Sequence, residues 1–269
     1  MECYPISPLS CVYDLVVSTS VDESFSIALR SDNIGSKVFY AVASLSAILV
    51  IFPQHGLEAI LHPLLIIGAL LSVACTAVTS IYQVQGNRLL RAAQLSDALG
   101  ANTGEVSREG YFGSPLDKSI LRLASTTLQN THFTKGILST MVLRERVKTG
   151  AFLIILVLFF SFRWTTTEWL LLLGQTIFSA DLILFWIRME RYQIRTQQVY
   201  ERLLQFFQQK GTVETPNGMA LVLSAFADYE CAKDEASLPL DQRLFESMNP
   251  PLSKKWDDLV RDLNLGPTA

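Results

Sequence analysis

One run of residues constrains this chain more than any other. Trp169–Ile187 (WLLLLGQTIFSADLILFWI) is long enough to cross a bilayer and carries a single charge, Asp181. An apolar helix needs roughly 20 residues to span the hydrocarbon layer. A charge near its middle costs several kcal/mol, so such a residue faces a bundle interior or a water-filled path rather than lipid. Three further stretches reach or approach that length: Ile34–Phe52, with Lys37 near its start, Ala59–Tyr82, with His62-Pro63 in its first turns, and the shorter Gly150–Phe162. The last spans only by borrowing Thr149 and the Arg163–Thr167 segment, with Arg163 reaching to the interface. Half of the residues are apolar and they fall in blocks, which argues against one ordinary globular core.

The connections pair these stretches. Only Pro53–Glu58 separates the first two and Arg163–Glu168 the last two, so each pair is expected to form an antiparallel hairpin. Basic residues mark the cytoplasmic side. Arg88 and Arg91 follow the second stretch, Arg144, Arg146 and Lys148 precede the third, and Arg188, Arg191 and Arg195 follow the fourth; the short loops hold only Arg163. The expected fold is all-α, a polytopic membrane protein with four transmembrane helices in two hairpins and a helical cytoplasmic domain. Its parts are a cytoplasmic N-terminal segment (1–33), hairpin 1 (34–82), a cytoplasmic helical segment (83–148), hairpin 2 (149–187) and a cytoplasmic C-terminal helical region (188–269). Both termini are expected in the cytoplasm of a cell with this chain in its inner membrane. The opening residues lack a positive n-region and an apolar h-region, so no signal peptide is expected.

The cytoplasmic parts read as helices. Gln83–Leu99 continues the second stretch and stops at Gly100–Gly104. Ser114 or Asp117 is expected to cap a helix through Leu121, Ala124 and Leu128 towards Val142, bent near Gly136. Met189, Tyr192, Thr196, Val199, Leu203 and Phe206 recur at alternating steps of three and four beyond the fourth stretch. Such a seam packs either against the Asp117–Val142 helix or against a second copy. A break at Gly211–Gly218 precedes a short helix, Met219–Lys233, and the tail carries Leu238-Pro239-Leu240 and Asn249-Pro250-Pro251.

Candidate functional residues are few. Gln175, Ser179 and Asp181 make the fourth stretch partly polar, either lining a path for ions or protons or gluing helices, for example to Ser72, Thr76 or Ser80. Arg88, Arg91, Arg188, Arg191 and Arg195 form a basic collar suited to anionic lipid or to an anionic ligand such as a nucleotide. Three histidines and four cysteines show no metal-binding spacing, and neither a metal site nor a cofactor is expected. His132 lies in a polar helical stretch without a marked catalytic partner. The nucleophile-elbow, zincin, phosphate-loop and dinucleotide patterns are absent, so no enzyme is expected. The net charge of −3 carries no signature for nucleic acid.

Two hairpins flanking a helical cytoplasmic segment, followed by a cytoplasmic tail, resemble the four-TM membrane effectors of bacterial defence systems, the SMODS-associated type. The resemblance rests on this layout and on Arg88–Leu99, Gly110–Phe112, Arg122–Phe133, Leu238–Leu244 and Trp256. It implies an oligomeric, pore-like antiviral effector whose cytosolic part senses a nucleotide or protein trigger and whose spans perturb the inner membrane. The alternatives are an anchored scaffold that recruits a soluble partner, and a small oligomeric transporter.

Overall fold

A computed structural model describes the backbone of residues 8–51, 55–100, 116–161 and 169–265, and the side chains of 21–46, 61–100, 116–154, 157–158 and 182–265. All regular structure among them is helical: α1 (Pro8–Ile51), α2 (His55–Leu99), α3 (Ile120–Ser161), α4 (Trp169–Gln208), α5 (Pro216–Ala236) and α6 (Gln242–Asp262). The first four run for 40 to 45 residues each. Among the described residues one stretch, Leu61–Leu99 of α2, is long and apolar enough to cross a membrane; only 17% of its most apolar window is buried. The other three expected spans lie partly or mostly on residues whose side chains are outside the described set.

α1 and α2 form an antiparallel hairpin that closes over small residues. A Cβ added at Gly35 would meet the Cys75 Cβ at 3.0 Å, one at Gly68 the Val42 side chain at 2.4 Å, and one at Gly86 the Phe25 ring at 2.9 Å. The glycines thus let the backbones approach closely, the small-residue packing that serves helices lacking a hydrophobic driving force between them. The Thr79 hydroxyl adds a hydrogen bond across the pair to the Ala28 carbonyl, 3.4 Å away. Residues 8–33 of the expected N-terminal segment 1–33 are helical and continue into the first apolar stretch as one helix, α1. Burial of Val21, Ser24 and Ala28 draws this less apolar stretch into the helix.

α2 ends where expected, with Gly100 at φ +67°, a left-handed conformation that glycine adopts without a Cβ penalty. The start of α3 differs from expectation. Ser119 caps it by accepting from the Arg122 N–H at 3.2 Å, not Asp117, and Ser114 lies outside the described residues. α3 then runs unbroken through Gly136 into the third apolar stretch. Gly136 makes room for Leu252 of α6, whose Cδ2 would stand 2.7 Å from an added Cβ.

The core lies between α3, α4 and α5. The α4 seam Met189, Tyr192, Thr196, Val199, Leu203 and Phe206 is buried. It joins Leu128, Leu138 and Val142 of α3 and Val222, Ala225 and Tyr229 of α5 in one apolar cluster. The seam therefore packs inside the chain, not against a second copy. Thr196, its polar member, is fully buried with its hydroxyl unpartnered.

Thr215 caps α5 by accepting from the Gly218 N–H at 3.1 Å, so this helix begins at Pro216, slightly before the expected Met219. α6 was not expected. Asp241 caps it through the Leu244 N–H at 3.1 Å, and it continues through Pro250 and Pro251. Two prolines inside a helix are costly, but Leu244, Leu252 and Trp256 are buried along one face of α6. Leu244 and Leu252 join Ile137 of α3 in a second apolar cluster.

Two experiments test this packing. Leu203→Ala should destabilise the detergent-solubilised protein by about 2–5 kcal/mol in denaturant unfolding, the range for emptying a buried leucine site. Gly35→Cys should cross-link to the native Cys75 under mild oxidation, detected as a single disulfide-linked peptide pair by mass spectrometry. A cross-link to Cys231 instead would contradict the α1–α2 register.

Candidate functional site

The ends of four apolar stretches meet around one cavity of about 840 Å³. α1 contributes Asp32, two residues before Ile34. α2 contributes Ser72, Thr76, Thr79 and Ser80, α3 Glu145 and Lys148, and α4 Arg188. The Ser237–Asp241 linker and the start of α6 close one side, bringing Arg243 and Glu246. The hydroxyl row on α2 follows helical geometry, because residues three and four apart share a face. Thr76 returns its own hydroxyl to the Ser72 carbonyl at 3.1 Å.

The cavity is charged but close to balanced. The Lys148 Nζ donates to the Glu145 carboxylate at 2.5 Å. Burial pushes this ammonium down, and the hydrogen bond and charge of Glu145 more than offset that, leaving it above its usual range. Burial raises the Asp32 carboxyl above its ordinary value, the nearby Glu145 charge raises it further, and Lys148 opposes both. The Arg188 Nε is buried without a hydrogen-bond partner. Such an arrangement can hold ions, water or a polar headgroup, and it can shift its charge by taking up a proton at Asp32.

The five collar arginines separate into different roles. Arg91 donates its Nε to Glu230 at 3.0 Å and a terminal nitrogen to Asp234. Arg191 and Arg195 both pair with Glu235, at 3.5 and 2.7 Å. Three members of the expected anion-binding collar are thus engaged by carboxylates of α5, which places α5 directly beneath the collar. Arg88 is exposed on α2, and Arg188 alone of the five lines the cavity. The side chains of Gln175, Ser179 and Asp181 lie outside the described set.

Sequence reading missed the acidic half of this layer. Glu230 is only 2% exposed and also accepts from Lys233 at 2.8 Å. Its spacing from Phe226 and Val222, four and eight residues back on the same helix face, was the available signal. A second buried pair clasps α2 to α3. The Arg122 guanidinium meets both Asp97 oxygens, with Nη2 at 2.8 and 2.9 Å, and donates Nη1 to the Leu116 carbonyl at 3.0 Å. Beside it Gln94 donates to Thr126 and Thr127 and accepts from Asn130.

His132 is a structural residue here. Its Nε2 lies 3.3 Å from the Leu252 carbonyl, which can only accept, so this nitrogen carries the proton. Tyr200 and Trp256 flank the ring at 5.9 and 6.0 Å between centroids. Burial lowers its pKa, favouring the neutral form. Among the described residues no group of histidine, cysteine and carboxylate side chains could hold a metal ion.

No family model, curated protein or solved structure matches this chain.

Arg122→Ala should cost about 3–5 kcal/mol, because Asp97 would keep a buried charge without its partner. Arg191→Ala, at an exposed pair, should change stability by less than about 1 kcal/mol. Urea unfolding of both variants checks the contrast. Asp32 supplies a pH test. Its carboxyl binds a proton more tightly folded than unfolded, so its contribution is greatest below the ordinary value of 3.8 and declines as pH rises through the raised native pKa. Asp32→Asn should flatten that step and raise stability at neutral pH, read as Tm against pH.

Proposed function

We propose that this chain is an integral membrane effector that perturbs the bilayer in response to a cytosolic signal, without catalysing a reaction. In this reading α1 to α4 supply four spans in two hairpins, both termini are cytoplasmic, and the membrane is a bacterial inner membrane. The partners are the lipid bilayer, further copies of the chain and a cytosolic trigger, as the likeness to four-TM defence effectors implies.

The observation that carries the reading is the division of α2, α3 and α4 into two unlike halves. One half packs into the core of the helical domain. The other turns large apolar side chains outward: Leu70 is 66% exposed, Ile154 63% and Leu184 55%, with Ile34 and Tyr40 of α1 exposed at the same level of the bundle. Water disfavours a contiguous apolar surface of this kind, and lipid does not. Each of these helices crosses the boundary between the halves without a break. A displacement of the buried half of α4 is therefore transmitted along a stiff rod to Gln175, Ser179 and Asp181. Repositioning these polar groups opens or rearranges an oligomeric bundle.

The test is membrane depolarisation and dye uptake in bacteria expressing the chain from an inducible promoter, against Asp181→Asn and Asp181→Leu at equal membrane abundance. Loss of depolarisation in both variants is the expected result. Unchanged depolarisation would remove Asp181 from the mechanism. Absence of depolarisation with the wild-type chain would replace the effector reading by that of an anchored scaffold.

A further inference from the structure

A second cavity, about 480 Å³, lies beside the first and shares the wall formed by Leu29 and the Leu238–Leu240 linker. Its volume falls within the roughly 300–1,000 Å³ typical of small-molecule sites. The chemistry of the two chambers differs. The second is lined by carboxamides, Gln83 and Asn87 from α2 and Gln129 and Asn130 from α3, together with the aromatic rings of Phe25 and Phe133.

Gln83 is 6% exposed, and its Oε1 is buried without a hydrogen-bond donor. A buried unpaired carbonyl costs about 1–3 kcal/mol, so this carboxamide is held beside the cavity at a cost that a small rotation onto a ligand would relieve. Asn87 is held in place by donating its amide to Asp234 at 3.3 Å, and Asn130 by donating to Gln94 at 3.2 Å. These amides present fixed polar edges rather than mobile ones.

Charge is excluded as the recognition element. Lys233, the ionisable cation on this wall, is engaged by the buried Glu230 carboxylate. Tyr229 lends a hydroxyl that shares a hydrogen bond with Thr134 at 2.9 Å; burial pushes its pKa up to about 12, so it stays neutral. Among the described lining residues a phosphate or carboxylate would find no cation but the engaged Lys233. A flat ring with a donor–acceptor edge would match the carboxamides, which pair with such edges, and would lie against the aromatic walls.

We infer that this chamber is a binding site for a neutral, planar heteroaromatic ring with an amide-like edge, the chemistry of a nucleobase or nicotinamide. The ring sets its amide-like edge against the Gln83 carboxamide and packs between Phe25 of α1 and Phe133 of α3. The site gathers α1 to α6 around one ligand, so occupancy tightens the contact of the α1–α2 hairpin with α3 and α4. This inference rests on reading the cytosolic half as the receiver of a signal, and it names the class of ligand received.

The test uses the full chain purified in detergent, titrated calorimetrically with adenosine, guanosine, cytidine, uridine and nicotinamide. Saturable one-to-one binding of at least one of them is expected. Gln83→Leu should weaken it by about tenfold, the loss of one buried hydrogen bond. This variant removes an unpartnered carbonyl, so its ligand-free Tm should equal or exceed that of the wild type, which separates lost binding from lost folding. If none of the five binds at millimolar concentration, or if Gln83→Leu binds as tightly as the wild type, the inference fails and the cavity holds water alone. The assay contains no conductance step, so a negative result here and a negative depolarisation result are independent.

Discussion

The contact between α3 and α4 organises everything else. Leu128, Leu138 and Val142 meet Met189, Val199 and Leu203 in a buried strip, and burying each such side chain contributes about 1.5–3 kcal/mol. Once this strip forms, α3 has three remaining sides to cover. α2 takes one through Arg122 and Asp97, α5 another through Thr134 and Tyr229, and α6 the third through Gly136 and Leu252. The two cavities are the spaces left where the α1–α2 hairpin leans on this assembly and the Ser237–Asp241 linker crosses over it.

Polar interactions then set the register. Apolar strips tolerate sliding, because one leucine contact resembles another. A bidentate guanidinium on a buried carboxylate does not. The Arg122–Asp97 clasp and the Arg91 contacts to Glu230 and Asp234 hold α2 at one height relative to α3 and α5. Because α2 carries a long row of exposed apolar side chains, these ion pairs fix where that surface ends and the charged layer begins. The position of the charged cavity follows from the same pairs.

The buried polar groups without partners are also informative by their location. The Arg188 Nε and the Gln83 Oε1 belong to residues that line the two cavities. The Thr196 hydroxyl sits instead within the core seam, and Thr196 lines neither of these two cavities. Unpartnered groups beside open volume are suited to binding, whereas one inside packed side chains is a local cost of packing. That distinction, not the number of arginines, separates the residues that can meet a ligand from those that hold helices together.

Much of the helical layout could be read from the chain. Apolar stretches, the α4 seam and the breaker at Gly100 report on local period and backbone freedom, which depend on neighbours in sequence. The roles of single residues could not be read in the same way. The arginine collar looks like a free basic surface until α5 supplies Glu230, Asp234 and Glu235, residues 40 or more positions away from the arginines they engage across the fold. α6 was hidden because two prolines oppose its local preference, and only burial of Leu244, Leu252 and Trp256 against α3 overrides them. The sequence by itself therefore determined an all-helical chain with long apolar segments, since periodicity and length act within one helix. Only the tertiary structure decided which charges are cancelled, which glycines are contact points and where cavities remain, because each of these depends on atoms brought together from distant parts of the chain.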